Sequence, residues 1–341
     1  MQLDAKLRSS IISIAKERFG AELQGIELGV SEARGGLESR AVHRFRVRAH
    51  DLCGRKCSLT LIAKHLDGAG VREAHVYGDV LSHLGIRIAP SVLKVVPCSD
   101  RGVILFLEDV STRVRWPWHD SAVSAAVLHQ LASFHEISRG HAAVLPEWDY
   151  EHVLEVSAIA TLEYAQRLRR KQEFAWLRRS VHSLDRVVSE LPARRRELLE
   201  LAPLGAGPIH GDVHPGNVIV RSRARGHEPV LIDWARARVG SVLEDVSSWL
   251  QSLAYWEPEA RRRHDTLLMS YLRARNQEPR LSSELREAYW MAAASNALAG
   301  ALRYYLVIAD GSSNQAKRAR AAHAARDWIR MIERAHALSR R

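Results

Sequence analysis

The segment that decides the fold lies past the middle of the chain and reads PIHGDVHPGNVIV at residues 208–220, followed by VLIDW at residues 230–234. Asp212 lies in a loop rich in glycine and proline, Asn217 enters the strand that follows, and Asp233 comes directly after a second strand. Because a hairpin brings its two ends together, we expect Asn217 and Asp233 to face each other. The alternative is a loop in which these side chains only cap turns.

The three polar side chains suit a magnesium-dependent reaction. The carboxylate of Asp233 and the amide oxygen of Asn217 form a natural Mg²⁺ site, because this ion takes few protein ligands and completes its octahedron with water and phosphate oxygens. The carboxylate of Asp212 can then align an attacking hydroxyl group and accept its proton. The sequence therefore predicts Asp212 as the catalytic residue, with Asn217 and Asp233 as the metal ligands.

The spacing H-x-D-x-x-x-x-N, with an Asp after a hairpin, is that of protein kinases. The motif HGDVHPGN, followed by IDW, resembles that of the aminoglycoside phosphotransferase family, which includes choline kinase-like enzymes. The resemblance implies an α+β, bilobal protein-kinase-like fold, with a small β-rich N-lobe and a larger, mainly helical C-lobe. It implies ATP as the phosphoryl donor, with GTP as the alternative, and Mg²⁺ as the metal. It also implies that His210 and His214 support the catalytic loop.

Two departures from the protein-kinase pattern favour a small-molecule acceptor. Gly211 replaces the Arg that would bind a phosphorylated activation loop, and Trp234 and Ala235 replace the Phe-Gly of the DFG motif. We therefore expect a phosphotransferase with an alcohol group as acceptor, that is, a small-molecule kinase.

A lysine and a glutamate in the first hundred residues fit the same resemblance. Lys64 ends the strand pattern LTLIAK, and Glu73 lies in the helix pattern that follows. Kinases use such a lysine to hold the α- and β-phosphates and such a glutamate to position it. The alternatives are a surface lysine and a glutamate favoured by the helix dipole.

Two further segments resemble nucleotide-binding parts of the family. Gly35 and Gly36 lie between two strand patterns, in a segment that ends at Ser39, and are expected to cover the phosphates. A Gly-Gly turn is also routine in hairpins. The segment around Glu108 and Val110 resembles the hinge, whose backbone would bind adenine.

The hydrophobic pattern divides the chain into a β-rich part and a helical part. Residues 1–110 are predicted to form the nucleotide-binding lobe, and residues 111–341 the catalytic and substrate-binding lobe. Strands are predicted at 42–47, 58–64, 92–96, 103–107, 217–220 and 230–232. Helices are predicted at 1–20, 71–84, 120–138, 150–190, 242–256, 257–275, 281–308 and 315–338.

The acceptor is less clearly marked. Glu244, Trp249, Tyr255 and Trp256 follow the metal loop on one helix and are candidate substrate-binding residues. The alternative for the aromatic residues is a core stripe. By family analogy we expect a hydroxyl-bearing antibiotic such as an aminoglycoside, and the alternative is a choline, homoserine or sugar kinase.

Composition narrows the classes of protein. Of the 341 residues, 46% are hydrophobic, and the longest stretches without charge are 15 residues, shorter than the ~20 that a membrane helix needs. Three cysteines are too few for a disulfide scaffold. We therefore expect a cytoplasmic protein, monomeric or dimeric, with no membrane partner.

Two rival functions are considered, and the first of them is suggested by the net charge of +11. One is an Arg-rich nucleic-acid-binding protein that uses the basic residues 311–341, which the absence of a recognisable motif makes the weaker reading. The other is a non-catalytic, kinase-like binding protein, disfavoured by the presence of Lys64, Asp212, Asn217 and Asp233.

Overall fold

A computed structural model describes residues 5–20, 22–32, 39–85, 87–98, 102–110, 116–141, 144–223, 226–278 and 280–338. The chain forms two compact units. The first comprises Met1–Arg115, Val144–Pro146 and Val218–Ala237, and the second comprises Trp116–Ala143, Glu147–Asn217 and Arg238–Arg341. The first unit thus includes a segment that the predicted division at residues 110 and 111 assigned to the C-terminal lobe.

The first unit is built on an antiparallel sheet. Its strands are β1 (Leu23–Glu32), β2 (Ser39–Asp51), β3 (Lys56–Leu66), β4 (Val92–Pro97) and β5 (Val103–Glu108). Among the described residues their order is β1-β2-β3-β5-β4. The four strands predicted in residues 42–107 are present. β2 and β3 are longer than predicted, because backbone pairing continues through their polar ends, where Arg48 lies opposite Ser58.

One face of this sheet is covered by the first helix, α1 (Ala5–Phe19). Phe45 and Val47 of β2 and Leu61 of β3 are buried together with Ile11 of α1 in a single core. Because successive side chains of a strand point to opposite faces, the residues between them lie on the other face.

A short helical segment follows β3. It consists of α2 (Val71–His75) and one π-helical turn, Val76–Leu81. The sequence predicted one regular helix over residues 71–84. Gly78 lies in the π turn, and glycine weakens a regular α-helix, which accounts for the shorter element.

The first unit also contains the hairpin of β7 (Val218–Arg223) and β8 (Gly226–Leu231). Val218, the residue after Asn217, pairs with Leu231, two residues before Asp233. Both strands are longer than predicted, since Pro229 pairs with Val220 instead of belonging to the loop. Proline is tolerated where a strand has a free edge.

The second unit is mainly helical. Its helices are α3 (Ser121–Ile137), α4 (Tyr150–Leu168), α5 (Leu177–Glu200), α6 (Val242–Trp256), α7 (Pro258–Arg262), α8 (His264–Ala274), α9 (Ser283–Asn296), α10 (Leu302–Gly311) and α11 (Gln315–Leu338). Two short antiparallel strands, β6 (Ala206–Ile209) and β9 (Arg238–Ser241), pair with each other. The main core includes Leu168, Leu184, Leu298 and Ile332.

Three predicted helices are divided in the structure. The prediction at 150–190 becomes α4 and α5, and the one at 257–275 becomes α7 and α8. The prediction at 281–308 becomes α9 and α10, because Gly300 has φ 128° and interrupts the helix. α5 continues past Pro192 to Glu200, although a proline predicts the end of a helix.

The described residues form an antiparallel sheet unit and a mainly helical unit, which confirms the predicted α+β class. Among the described helices, none is both long and apolar enough to cross a membrane.

Candidate active site

A lysine at the end of β3 is held between two carboxylates within the first unit. Nζ of Lys64 lies 2.6 Å from Oε2 of Glu73 and 2.7 Å from Oδ1 of Asp233. The alternation of β3 places Lys64 on the face opposite α1, because Ala63 is buried toward that helix. Glu73 comes from α2, and Asp233 follows β8. Three separate elements therefore meet at one ammonium group.

This network keeps the buried lysine charged. Lys64 is 7% exposed and Glu73 is 1% exposed. Burial alone would lower the pKa of Lys64, but the carboxylates of Glu73 and Asp233 outweigh burial, and the pKa is raised. A charged ammonium group with a fixed direction is a binding group for phosphate oxygens.

The turn that carries Asp233 is conformationally constrained. Asp233 has φ 66°, in the left-handed region, which is uncommon for a residue other than glycine. Nη1 of Arg72 donates to the carbonyl oxygen of Ala235 at 3.2 Å. The buried indole of Trp234 donates from Nε1 to the carbonyl oxygen of Leu231 at 2.9 Å. These bonds fix the turn on both sides of Asp233.

In the second unit, the loop that carries Asp212 is braced by the first turns of α6. Oδ2 and Oδ1 of Asp245 accept the backbone N–H groups of His210 and Gly211, each at 2.8 Å. Nδ1 of His210 accepts the backbone N–H of Asp212 at 3.2 Å. Gly211 has φ 80°, a conformation that favours glycine. The loop is therefore fixed by hydrogen bonds to its main chain.

Asp212 presents an accessible carboxylate. Its side chain is 41% exposed. Nδ2 of Asn217 donates to Oδ2 of Asp212 at 3.2 Å and to its carbonyl oxygen at 3.0 Å. Nε2 of His214 lies 3.9 Å from the same Oδ2. The carboxylate of Asp212 is therefore accessible and is oriented by a neighbouring amide.

Asp245 is itself held by a buried pair of side chains. Its carboxylate lies 3.1 Å from Nε2 of His135, whose Nδ1 lies 2.9 Å from the hydroxyl of Tyr271. Burial alone would raise the pKa of Asp245, but the hydrogen bonds from His135 and the backbone N–H of His210 outweigh burial and lower it. The brace beneath the loop is therefore an ionised carboxylate.

Each of the two predicted metal ligands has an oxygen atom of the kind that binds Mg²⁺. Both side-chain hydrogen bonds of Asn217 use its amide nitrogen, so neither engages its amide oxygen. Lys64 contacts Oδ1 of Asp233, which leaves Oδ2 outside that contact. Amide and carboxylate oxygens are hard ligands of the type that Mg²⁺ takes. In the part of the chain that the structure describes, no group of three or more His, Cys, Asp or Glu side chains is arranged to hold a metal ion.

The structure describes only one of the three residues predicted to cover the phosphates. Gly35 and Gly36 lie outside the described residues. Ser39 begins β2, and its backbone lies opposite Leu66 of β3.

The predicted hinge residues lie at the end of β5. A carboxylate oxygen of Glu108 lies 2.9 Å from Nη2 of Arg221 in the β7–β8 hairpin. The backbone N–H of Glu108 donates to the carbonyl oxygen of Ser91 at 2.9 Å. Val110 is buried.

Two candidate substrate residues lie in the interior, Glu244 and Trp249; for Trp249 this agrees with the alternative of a core stripe. Glu244 is 1% exposed, and its oxygens lie 2.7 Å from Nη1 of Arg195 and 3.5 Å from Nη2 of Arg238. Trp249 has no exposed surface and packs edge-on against Trp118, with ring centroids 4.9 Å apart. The reason is that α6 is buried around most of its circumference over residues 242–250.

The other two candidates lie at the more accessible end of α6. Tyr255 is half-buried, Trp256 is 57% exposed, and both line a cavity of about 710 Å³ within the second unit. α6 therefore separates the four candidates into an interior pair and a cavity-lining pair.

Sequence reasoning missed two arginines that position these loops. One is Arg72, described above beside Asp233. The other is Arg238, whose guanidinium lies 3.6 Å from the ring centroid of Tyr150 and donates to the carbonyl oxygen of Gly211 at 3.4 Å. In a chain with 43 arginines, no sequence signal distinguishes these two.

Comparison with solved structures agrees with this arrangement of elements. A choline kinase from Cryptosporidium parvum superposes with a TM-score of 0.60 at 14% identity, covering 98% of this chain and 98% of that one. An aminoglycoside phosphotransferase from Alicyclobacillus acidocaldarius gives 0.56 at 16% identity, covering 92% and 93%. A GDP complex of a mutant aminoglycoside 2′-phosphotransferase-IIIa gives 0.54 at 12% identity, covering 96% of each chain. At these identities the likeness establishes the fold, and the predicted protein-kinase-like fold is confirmed.

The sequence itself was also compared with curated proteins and with family models. No curated protein gives a significant match. The phosphotransferase enzyme family (APH) matches residues 55–282, more than half of the chain, which confirms the predicted enzyme class, a phosphotransferase with an alcohol acceptor. The matched range includes Lys64, Glu73, Asp212, Asn217 and Asp233. The chain belongs to the phosphotransferase enzyme family.

Proposed function

We propose that the protein transfers the γ-phosphoryl group of ATP to a hydroxyl group of a small molecule, with Mg²⁺ bound. The observation that carries the proposal is the position of Lys64 between Glu73 and Asp233. Kinases hold the α- and β-phosphates with a lysine that is positioned by a helix glutamate. GTP is the alternative donor, since one structural neighbour is a GDP complex.

Asp212 is the proposed general base. The acceptor oxygen forms a bond to the γ-phosphorus, while the bond from that phosphorus to the β–γ bridging oxygen breaks and the nucleoside diphosphate leaves. The proton of the acceptor hydroxyl passes to the carboxylate of Asp212. The amide of Asn217, bonded to Oδ2 of Asp212, orients that carboxylate. General-base catalysis is worth roughly 10²–10⁴ in rate.

The remaining roles concern the nucleotide. Asn217 and Asp233 would hold Mg²⁺, which supplies charge neutralisation for the phosphates when bound. Lys64 would bind the α- and β-phosphates, with Gly35, Gly36 and Ser39 covering them. These positions orient the phosphates and limit water, which is most of what phosphoryl transfer requires of a protein.

Two further nucleotide roles are proposed at the end of β5. The backbone around Glu108 and Val110 would bind the base. His210 and His214 would keep the catalytic loop in shape. We also keep the cytoplasmic location and the small-molecule partner expected from the sequence.

The similar solved structures do not identify the acceptor of this protein. They include both a choline kinase and aminoglycoside phosphotransferases, so a metabolic alcohol and an antibiotic hydroxyl both suit the fold.

The proposal is tested by a product analysis. The full chain is incubated with Mg·ATP and a pooled panel of hydroxylated acids, aminoglycosides, other antibiotics, choline, homoserine and sugars, and mass spectrometry is used to find an acceptor heavier by one HPO₃ group. The proposal expects such a product from the wild type and none from Asp212→Ala. Failure of the wild type to bind ATP in the presence of Mg²⁺ would overturn it.

A further inference from the structure

The cavity beside Tyr255 and Trp256 has the size of a small-molecule site. Its volume is about 710 Å³, within the roughly 300–1,000 Å³ typical of ligand pockets. Every residue that lines it belongs to the second unit, from the end of α6 to α11. It lies about 15 Å along α6 from Asp245, since ten residues separate Asp245 from Tyr255 at 1.5 Å each.

The walls of the cavity offer aromatic surface. The aromatic residues among the described lining are Tyr255, Trp256, Trp290, Tyr305 and Trp328. All five are at least partly exposed, so their rings are accessible to a ligand. Aromatic walls bind flat or extended apolar bodies by stacking and area burial.

The charged lining of the cavity is predominantly basic. Among the described residues it includes the arginines Arg261, Arg262, Arg286, Arg330 and Arg334. Asp265 and Asp327 are the acidic residues of the same lining. Together these seven side chains carry a formal charge of +3.

Both acids are already engaged by arginines of the same cavity. Asp265 lies 3.1 Å from Nη2 of Arg286. Asp327 pairs with Arg330 and lies 3.6 Å from Nη2 of Arg261. Neither carboxylate is available to a cationic ligand without losing an arginine, and a polycation would also face the excess positive charge.

Arg334 differs from those arginines. Its guanidinium lies 4.5 Å from the ring centroid of Trp290, and among the described residues no carboxylate lies within 4.0 Å of it. Trp290 also stacks on His264, at 5.8 Å between ring centroids. Burial lowers the pKa of His264, so its imidazole is neutral at pH 7. Arg334 is thus a fixed cation beside an aromatic ring, with its hydrogen-bonding fork open to an anion.

We infer that this cavity binds an anionic molecule with an aromatic or extended apolar body, and that Arg334 binds its anionic group. The aromatic walls hold the apolar body by stacking. A polycationic aminoglycoside and a small cation such as choline both lack this combination of charge and apolar surface.

Three probes that share one ring system and differ in charge test the inference. They are naphthalene-2-carboxylate, naphthalene-2-carboxamide and 2-naphthylmethylammonium, titrated against the full chain by calorimetry. The carboxylate is expected to bind at least about tenfold tighter than the amide and the ammonium, the worth of one charge-assisted hydrogen bond. In Arg334→Gln this preference should fall to within about threefold, while Arg334→Lys should retain part of it.

The outcomes separate this inference from the proposed function. Mg·ATP binding is measured on the same preparations. Weaker binding of the carboxylate than of the ammonium, no carboxylate binding, or a preference unchanged in Arg334→Gln overturns the inference. If ATP still binds, the proposed function survives that result. If ATP does not bind, the proposed function itself fails.

Discussion

Nζ of Lys64 lies 2.7 Å from Oδ1 of Asp233, although 169 residues separate them in the chain. The contact joins the end of β3 to the turn after β8, and both residues belong to the first unit. Asp233 and Glu73 share the charge of one lysine. If the proposed function holds, Mg²⁺ and phosphate would replace part of this network without a buried charge losing all its partners.

Replacement of Glu73 should weaken the use of ATP more than it weakens folding. In Glu73→Gln, Lys64 keeps Asp233 and loses its second carboxylate, so the ammonium group is less well directed. We expect kcat/KM for Mg·ATP to fall about 10- to 100-fold, the effect of about 1.5–3 kcal/mol for a hydrogen bond to a charged group. Steady-state kinetics at varied ATP measures this change.

The matched control is Asp79→Asn in the adjacent π turn. Asp79 is 63% exposed and pairs with His75, away from Lys64. The Asp79→Asn variant should keep kcat/KM for Mg·ATP within about twofold of wild type, since an exposed ion pair contributes little to stability. Equal effects of the two substitutions would contradict the role of Glu73.

The candidate loop around Asp212 could be located in the sequence because its evidence is local. The spacing from His210 to Asn217 and the strand pattern after it are contained in a few residues. Lys64 and Glu73 could be paired because a strand and the next helix are neighbours in the chain. The contact of Lys64 with Asp233 depends on the fold, and no local pattern predicts it, since 169 residues separate the two.

The stability of the second unit should depend on pH through Asp245. Its pKa in the folded protein lies below the usual value of 3.8, so the stabilisation is complete above that value and is lost as pH falls through the folded pKa. We expect the free energy of unfolding to decrease with acidification below about pH 4. Denaturant titrations between pH 3 and 7 measure this slope.

Asp245→Asn isolates the contribution of this carboxylate. The variant should lose about 1.5–3 kcal/mol at pH 7, for a hydrogen bond to a charged group, and should show a shallower acid slope. Asp185→Asn, at an exposed position of α5, is the control and should keep both properties. An acid slope identical in Asp245→Asn and wild type would contradict the assignment.

The two tryptophans of α6 should respond in opposite ways. Trp249→Ala removes a fully buried side chain and should cost about 3–5 kcal/mol of unfolding free energy. Trp256→Ala, at 57% exposure, should cost less than about 0.5 kcal/mol and should weaken binding of naphthalene-2-carboxylate. Denaturant unfolding and calorimetry on both variants make the comparison. A large loss of stability in Trp256→Ala with unchanged probe binding would refute it.

The burial of these two tryptophans could not be predicted from the sequence. Trp249 and Trp256 are the same residue type on one helix, so no local pattern shows which ring is buried in the core and which lines the cavity. The difference arises from the helices that pack against each end of α6. The same holds for Glu244, whose acidic side chain is neutralised in the interior by Arg195, an arginine nearly fifty positions earlier in the chain.

The central claim is that Asp212 is the base of a phosphoryl transfer, and its most direct test is the turnover of Asp212→Asn with an acceptor found in the product analysis. Asparagine keeps the shape of the side chain and cannot accept the proton. We predict a fall in kcat of about 10²-fold or more with Mg·ATP affinity within about threefold of wild type, and wild-type rates in Asp185→Asn. Wild-type kcat in Asp212→Asn would contradict the account.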